Sequence, residues 1–304
     1  MIINFPKKKL FLLICIFCMM LFSQSFTAAG FTTSGNNQSF ANKQSSKLLQ
    51  PSTKKMMATI KDLSTNSREY GTNNEKKACI YLKNKFKSYA YEPSIQIEEH
   101  LDWTGTIKSQ GRNIIAVKKN TTKTRKGIIV ICAHYDCSKY SLGANDDASG
   151  CAVVLETARL LKDAPSAYEV RFILFCGEEK GCLGSLYYVQ KLSKNDIKNM
   201  KAVLDIDSIA QKDYVKPGIF TVSGKENTAT ALLKNAKENK TLTITKMTRE
   251  RSDYTVFDYY NMPALCIGQP YTNKLKINND KDQASRIDKS KLEYVANILL
   301  NALR

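Results

Sequence analysis

Most of this 304-residue chain alternates between short apolar runs and segments of helical spacing, and that alternation limits its fold more than any other feature. NIIAV (113–117), the run 128–132, EVRFILF (169–175), KAVLDID (201–207), GIFTVSG (218–224) and MPALCIG (262–268) read as strands. Pro263 stands at the entry of the last, where its missing N–H does little harm. Between them, 149–161 carries Ala152, Val153, Leu155 and Leu160 at helical spacing, and 185–192 and 227–238 also read as helices. Two helices are expected before the strands, at 51–63 and 74–89, and one at the end, 289–303. Strands alternating with helices imply a mostly parallel sheet covered on both faces, with ligands bound at the carboxyl ends of the strands.

The first residues read differently. Lys7, Lys8 and Lys9 precede an apolar run from Leu10 to Phe22, and Ala28, Ala29 and Gly30 follow. A basic start, a short apolar middle and small residues are the layout of a secretory signal peptide, so residues 1–29 are expected to be removed. An uncleaved anchor is the alternative, although the run is short for a membrane span. Cys15 follows Ile14 and Cys18 follows Phe17, which gives no lipoprotein signal. Residues 30–50, rich in Ser, Thr, Asn, Gln and Gly, read as a linker, and 51–304 as the folded domain. The mature chain is expected to be secreted or periplasmic, with no stable membrane span. Of nine cysteines, removing Cys15 and Cys18 leaves an odd number, so at least one thiol stays unpaired within the chain. Cys132, Cys176 and Cys266 fall in expected core strands, where a thiol packs as a small apolar group. The formal charge of +18 is spread over scattered lysines, without the arginine stripe, aromatic signature or paired-cysteine finger of a nucleic-acid binder.

Chemistry-bearing residues collect where the apolar runs end. His134 closes one run and Asp136 follows it, placed to take the second ring N–H of a metal-binding imidazole. A histidine merely satisfied by hydrogen bonds is the plainer alternative. GANDDASG (143–150) holds Asp146 and Asp147 between two turn-permitting glycines, just before a helix. One aspartate suffices as a cap, which leaves Asp146 free to bridge cations while Asp147 supports the loop. Glu178 and Glu179 end the next run, and adjacent carboxylates there are costly unless a cation neutralises one. Glu179 is then a metal ligand and Glu178 the base that takes a proton from water. Asp207, two residues beyond Asp205 on the same strand face, is a terminal ligand.

Together and in this order, HYD (134–136), GANDDASG, GEE (177–179), LDID (204–207), RSDYTVF (251–257) and the early LSTNSREYGT (63–72) resemble the zinc exopeptidase family of bacterial leucyl aminopeptidases and aminopeptidase Y. Glutamate carboxypeptidase and glutaminyl cyclase are relatives on the same fold. The resemblance spans about Thr59 to Arg304 and implies a three-layer α/β/α sandwich around a mixed sheet. It implies hydrolysis of the bond after a free amino terminus of a peptide. One or two zinc ions would be held by His134, Asp146, Glu179 and Asp207, with Glu178 as base. Asp253 falls in a segment that lines the substrate pocket in the family.

The chain departs from the family at one place. A final histidine, in a Tyr-His-Thr-x-x-Asp motif, is expected as a ligand. Aligning Asp282 with the motif's aspartate puts Ile277 at the tyrosine and Asn278 at the histidine. Only His100 remains as another histidine, far upstream. Three readings stay open: an oxygen ligand from residues 278–280, a single retained metal, or an inactive member that binds peptides or another partner. The missing tyrosine removes an oxyanion donor, and Tyr271 is the nearby hydroxyl that can stand in for it.

Overall fold

The computed structural model describes residues 50–101, 106–246 and 252–303. The expected signal peptide, residues 30–49 of the expected linker, Cys15 and Cys18 lie outside the described residues. Helices α1 (Thr53–Leu63) and α2 (Asn73–Ser88) precede β1 (Ser94–Leu101), β2 (Ile107–Lys118) and β3 (Ile128–His134). Then follow α3 (Ala148–Leu161), β4 (Glu169–Phe175), α4 (Leu183–Gln190), α5 (Lys194–Asn199) and β5 (Met200–Asp207). The remainder is β6 (Gly218–Thr221), α6 (Thr228–Lys234), β7 (Ile244–Lys246), α7 (Asp253–Tyr259), β8 (Ala264–Gly268) and α8 (Lys289–Leu303).

The strands form one sheet in the order β1-β2-β4-β3-β5-β8-β6-β7. Its centre, β4-β3-β5-β8, is parallel throughout, and β6/β7 is also parallel. The pairs β1/β2, β2/β4 and β6/β8 are antiparallel, which makes the sheet mixed. Successive side chains of a strand point to opposite faces, and the core divides accordingly. Ile129, Ile131 and Ala133 of β3 pack in a cluster with α1, α2, α3, α6 and α8. Ile128, Val130 and Cys132 pack in a second cluster with α4 and α7. All of β3 is buried, as expected for a central parallel strand read as a continuous apolar run.

Local chemistry sets the helix starts. Ser52, Thr72 and Asn227 cap α1, α2 and α6 by accepting backbone N–H groups of the first turn. The structure lengthens and shifts some expected elements. The strand foreseen at 113–117 extends back to Ile107, because its polar half pairs with β1 at the sheet edge. The helix expected at 227–238 stops at Lys234 and is followed by a 3-10 turn at Lys237–Asn239. Helix α5 and strand β7 are too short and polar to announce themselves by periodicity. The described cysteines, Cys79, Cys132, Cys137, Cys151, Cys176, Cys182 and Cys266, are all buried free thiols. No helix among the described residues is long and apolar enough to cross a membrane.

Candidate active site

The four central strands end on one rim, and the candidate residues are carried there. His134 is the last residue of β3 and pairs in register with Phe175, the last of β4. Asp207 ends β5 opposite Gly268, the last of β8. Glu178 and Glu179 open a 3-10 turn just after β4. Gly177 precedes them at φ +67°, a conformation that favours glycine. Asp146 comes from the loop between β3 and α3, and its peptide to Asp147 is cis. Asp147 caps α3: its Oδ1 accepts the N–H of Gly150 at 2.9 Å and of Ser208 at 3.2 Å, which ties the loop to the end of β5. Gly150 permits this approach, since a Cβ there would lie 2.1 Å from the Ile206 carbonyl oxygen.

His134 Nε2 lies 3.0 Å from Asp146 Oδ1, 3.8 Å from Asp207 Oδ1 and 4.0 Å from Glu178 Oε2. One donor atom each from His134, Asp146 and Asp207 falls within a 4.8 Å group. On the other side of the ring, Nδ1 is 3.2 Å from the Asp136 carbonyl oxygen and 3.5 Å from Asp136 Oδ1. A proton on Nδ1 faces Asp136 and leaves the Nε2 lone pair for the cluster. The Asp136 carboxylate also accepts the N–H of Glu178 at 3.1 Å and of Glu179 at 3.3 Å, so one buried residue orients the histidine and both glutamates.

The electrostatics describe a site in need of positive charge. Burial lowers the affinity of His134 for a proton, but Asp136, Asp146 and Asp207 outweigh it and hold the imidazole well above its usual value. Burial raises Asp146 and Glu178, with Asp207 adding to both. Glu179 is pushed up to about 9 by burial and then by Asp146. Asp207 is held low despite burial, because His134 is beside it. A cation bound among these groups would displace the protons that burial and mutual repulsion keep on them. One imidazole nitrogen and two carboxylates converging on a point form a donor set that suits zinc, with further carboxylates to offset its charge. The residues present therefore fit a divalent ion at His134, Asp146 and Asp207.

A cavity of about 210 Å³ opens over the cluster, lined by Asp146, Glu178, Glu179, Asp207 and Ser208 on one part and by Gln269, Tyr271, Leu275, Ile277 and Asn278 on another. Asn278, in a left-handed backbone conformation, reaches Glu179. With its amide nitrogen turned toward the carboxylate, the orientation that pairs donor with acceptor, it donates to Oε1 at 2.6 Å and Oε2 at 3.1 Å. Tyr271 is on the cavity wall and is 38% exposed. Asp253 is not on that wall. It is fully buried at the start of α7, which packs its aromatic residues Tyr254 and Phe257 into the core, and burial with Asp205 pushes its carboxyl well up. Asp205 accepts from Ser252 Oγ at 2.7 Å and the Tyr254 N–H at 3.0 Å, so it anchors α7. The backbone of His100 lies in β1 at the sheet edge, paired with Ser109.

Sequence reasoning passed over several supports of the site. Asp282 receives the N–H groups of Asn145 and Asp146, a role not expected of a residue used only to set an alignment. Arg68, 2% exposed, donates to the carbonyls of Leu63, Tyr135, Leu142 and Gly143. An arginine inside an early polar segment gives no sign of such burial. Gln211 and Gln269 stitch together the two loops that wall the cavity. Glutamines carry no spacing signal that separates this role from a solvated one.

Residues 113–303 match the sequence profile of peptidase family M28. The chain belongs to that family. Among its M28 relatives, aminopeptidase YwaD of Bacillus subtilis is 31% identical over 219 residues, which cover 68% of this chain and 47% of that protein. Aminopeptidase Y of Saccharomyces cerevisiae is 31% identical over 153 residues, 50% of this chain and 27% of that protein. The chain thus spans about half or less of the length of these relatives. The aminopeptidase from Aneurinibacillus sp. strain AM-1 superposes with a TM-score of 0.75 at 22% identity, over 83% of this chain and 93% of that one. That likeness bears on the fold, an M28 sandwich with helices on both faces of one mixed sheet.

Proposed function

We propose that this M28 chain is an exported metallo-aminopeptidase that removes the amino-terminal residue of peptides, with one zinc ion held by His134, Asp146 and Asp207. The observation that carries the reading is the convergence of these three donors within a 4.8 Å group, with Glu178 Oε2 4.0 Å from the same imidazole nitrogen. The relatives' names, aminopeptidase YwaD and aminopeptidase Y, agree with the reaction. The ion, when bound, supplies Lewis acidity toward the scissile carbonyl and toward water.

The chain's own residues do the rest. Glu178 takes a proton from the attacking water and returns it to the leaving nitrogen, and burial raises its proton affinity above that of an ordinary carboxylate. Asp136 fixes the histidine tautomer and holds the backbone of Glu178. Asp147 and Asp282 hold the loop that presents Asp146. Tyr271 is the hydroxyl on the wall available to a developing oxyanion, in place of the tyrosine replaced by Ile277. The second ion position is altered by Asn278, whose neutral amide occupies the carboxylate of Glu179.

Glu178→Gln tests the reading. The variant should keep the zinc content of the wild type and lose about 10²–10⁴-fold in kcat on an aminoacyl-anilide. Unchanged turnover refutes the base, and a wild type with neither metal nor turnover points instead to a peptide-binding member of the family. The export proposal rests on residues 1–29, and sequencing the amino terminus of protein collected outside the cytoplasm tests it.

A further inference from the structure

Lysines that are scattered in the sequence gather on the rim of the sheet opposite the ion cluster. The parallel pairs Ile128↔Glu169, Ile128↔Met200 and Val203↔Ala264 set the amino ends of β3, β4, β5 and β8 side by side. The loop before β3 carries Lys119, Lys123, Arg125 and Lys126, all exposed. Helix α5 and the start of β5 carry Lys194, Lys198 and Lys201, also exposed. The two segments touch. A Cβ on Gly127 would lie 2.5 Å from the Asn199 carbonyl oxygen, and Arg125 shares a cavity of about 260 Å³ with Asn195 and Asn199.

The acidic groups of this rim are mostly taken up. Glu169 is paired with Lys119 and Arg171, Asp196 with Arg171, and Glu226 with Lys234. Asp163 and Asp258 also lie along it, before β4 and near the end of α7. Lys123, Arg125, Lys126, Lys194, Lys198 and Lys201 have no ion-pair partner among the described residues. Beside them Tyr259 ends α7 and is 82% exposed, just ahead of Pro263, whose carbonyl accepts the N–H of Val203 at 2.9 Å.

We propose that this rim is a docking surface for an anionic lipid bilayer. The charge of the rim complements phosphate headgroups, and an exposed tyrosine at its edge suits the headgroup level of a membrane. Apart from Arg125 the unpaired cations are lysines, flexible point charges that follow a diffuse lipid surface rather than the fork that grips a nucleic-acid phosphate. The ion cluster and its cavity lie at the carboxyl ends of the same strands, so a bound bilayer leaves them open. The proposal stands apart from the aminopeptidase reading.

Co-sedimentation of the full chain with vesicles tests it, using phosphatidylcholine alone and an equal mixture with phosphatidylglycerol. Each basic residue near an anionic surface is worth about fivefold in partition, an effect that salt screens. Combining Lys123→Gln, Arg125→Gln and Lys126→Gln should weaken binding to the mixed vesicles about 100-fold, and combining Lys194→Gln, Lys198→Gln and Lys201→Gln should do the same. Binding to phosphatidylcholine alone, which reads any contribution of the apolar run at residues 10–22, should not change in either variant. Lys54→Gln, Lys55→Gln and Lys61→Gln together remove the same charge from α1, in the layer packed with α3 and α8, and should cost about fivefold or less. Melting temperatures check that each variant keeps its fold. Equal wild-type affinity for the two kinds of vesicle, unmoved affinity in both rim variants, or an equal loss in the α1 variant overturns the proposal. Binding of a DNA duplex that the rim variants lose, without binding of the mixed vesicles, overturns it as well.

Discussion

The carboxylate of Asp282 accepts the backbone N–H of Asp146 at 3.0 Å, across 136 positions of sequence. Its other oxygen accepts the N–H of Asn145 at 2.6 Å. A residue outside the ion cluster thereby fixes the loop that delivers a ligand. Asp282→Ala frees both N–H groups and lets Asp146 swing. Zinc affinity, measured by competition with a chelator, should fall about 10–100-fold, the usual cost of removing an outer support of a metal ligand. An unchanged affinity shows that the loop holds its shape without Asp282.

Arg68 spans four backbone carbonyls, with its guanidinium 2.7 Å from Tyr135 O, 2.8 Å from both Leu63 O and Leu142 O, and 3.0 Å from Gly143 O. It holds the segment after β3 against the end of α1. A lysine carries a point charge and lacks the planar fork, so Arg68→Lys leaves some of these carbonyls unbonded. Each buried group so exposed costs about 1–3 kcal/mol. Urea denaturation of the variant should show a loss of at least that size, and near-wild-type stability contradicts this role.

Gln211 braces the cavity wall on either side of Leu275. Its Nε2 donates to the Lys274 carbonyl at 2.9 Å, its Oε1 accepts the Lys276 N–H, and its own N–H reaches Gln269 Oε1 at 2.7 Å. Gln211→Ala should loosen residues 275–278 while the ion cluster stays intact. The expected signature is a raised KM with kcat reduced less, at unchanged zinc content. A fall in kcat alone, with KM unmoved, removes the wall from the account of binding.

The pH dependence has a definite sign. Burial pushes Asp205, Asp282 and Glu75 each up to about 7. The unfolded chain releases these protons near the ordinary carboxylate values of about 4. Between about pH 4 and 7 the native state binds more protons than the unfolded one, so stability falls as pH rises. His134 adds to this: its proton, held well above the usual value, contributes fully below about pH 6.5 and is lost as pH climbs through the raised value. Asp207, Glu169, Asp196 and Asp288 are held low, and their contributions are lost only as pH drops below the unfolded carboxylate range. The metal-free protein should therefore melt at a lower temperature at about pH 8 than at about pH 5.5, and zinc should raise the melting temperature more at the higher pH, because it competes with the protons on its ligands His134 and Asp146. A metal-free melting temperature that climbs across this range contradicts the charge arrangement.

The sheet centre was legible because β3, β4, β5 and β8 are buried on both faces and so read as apolar runs, and the alternation with α3, α4 and α8 imposed the layers. The same logic located His134, Glu178, Glu179 and Asp207, since a charged residue that ends an apolar run marks the rim of a parallel sheet. What stayed hidden was what depends on loops meeting across the chain. Asn278 comes to Glu179 through a turn whose path no periodicity specifies, and the burial of Asp253 follows from how α7 packs. The supports Asp282, Arg68 and Gln211 bond to backbone groups, which every residue possesses, so their partners leave no trace in residue type.

The most direct test is zinc-edge anomalous scattering from crystals of the zinc-loaded protein. The account predicts one peak, within bonding distance of His134 Nε2 and carboxylate oxygens of Asp146 and Asp207, that disappears in Asp207→Asn. A zinc-loaded crystal with no peak at these three residues, or with its only peak elsewhere on the chain, contradicts it.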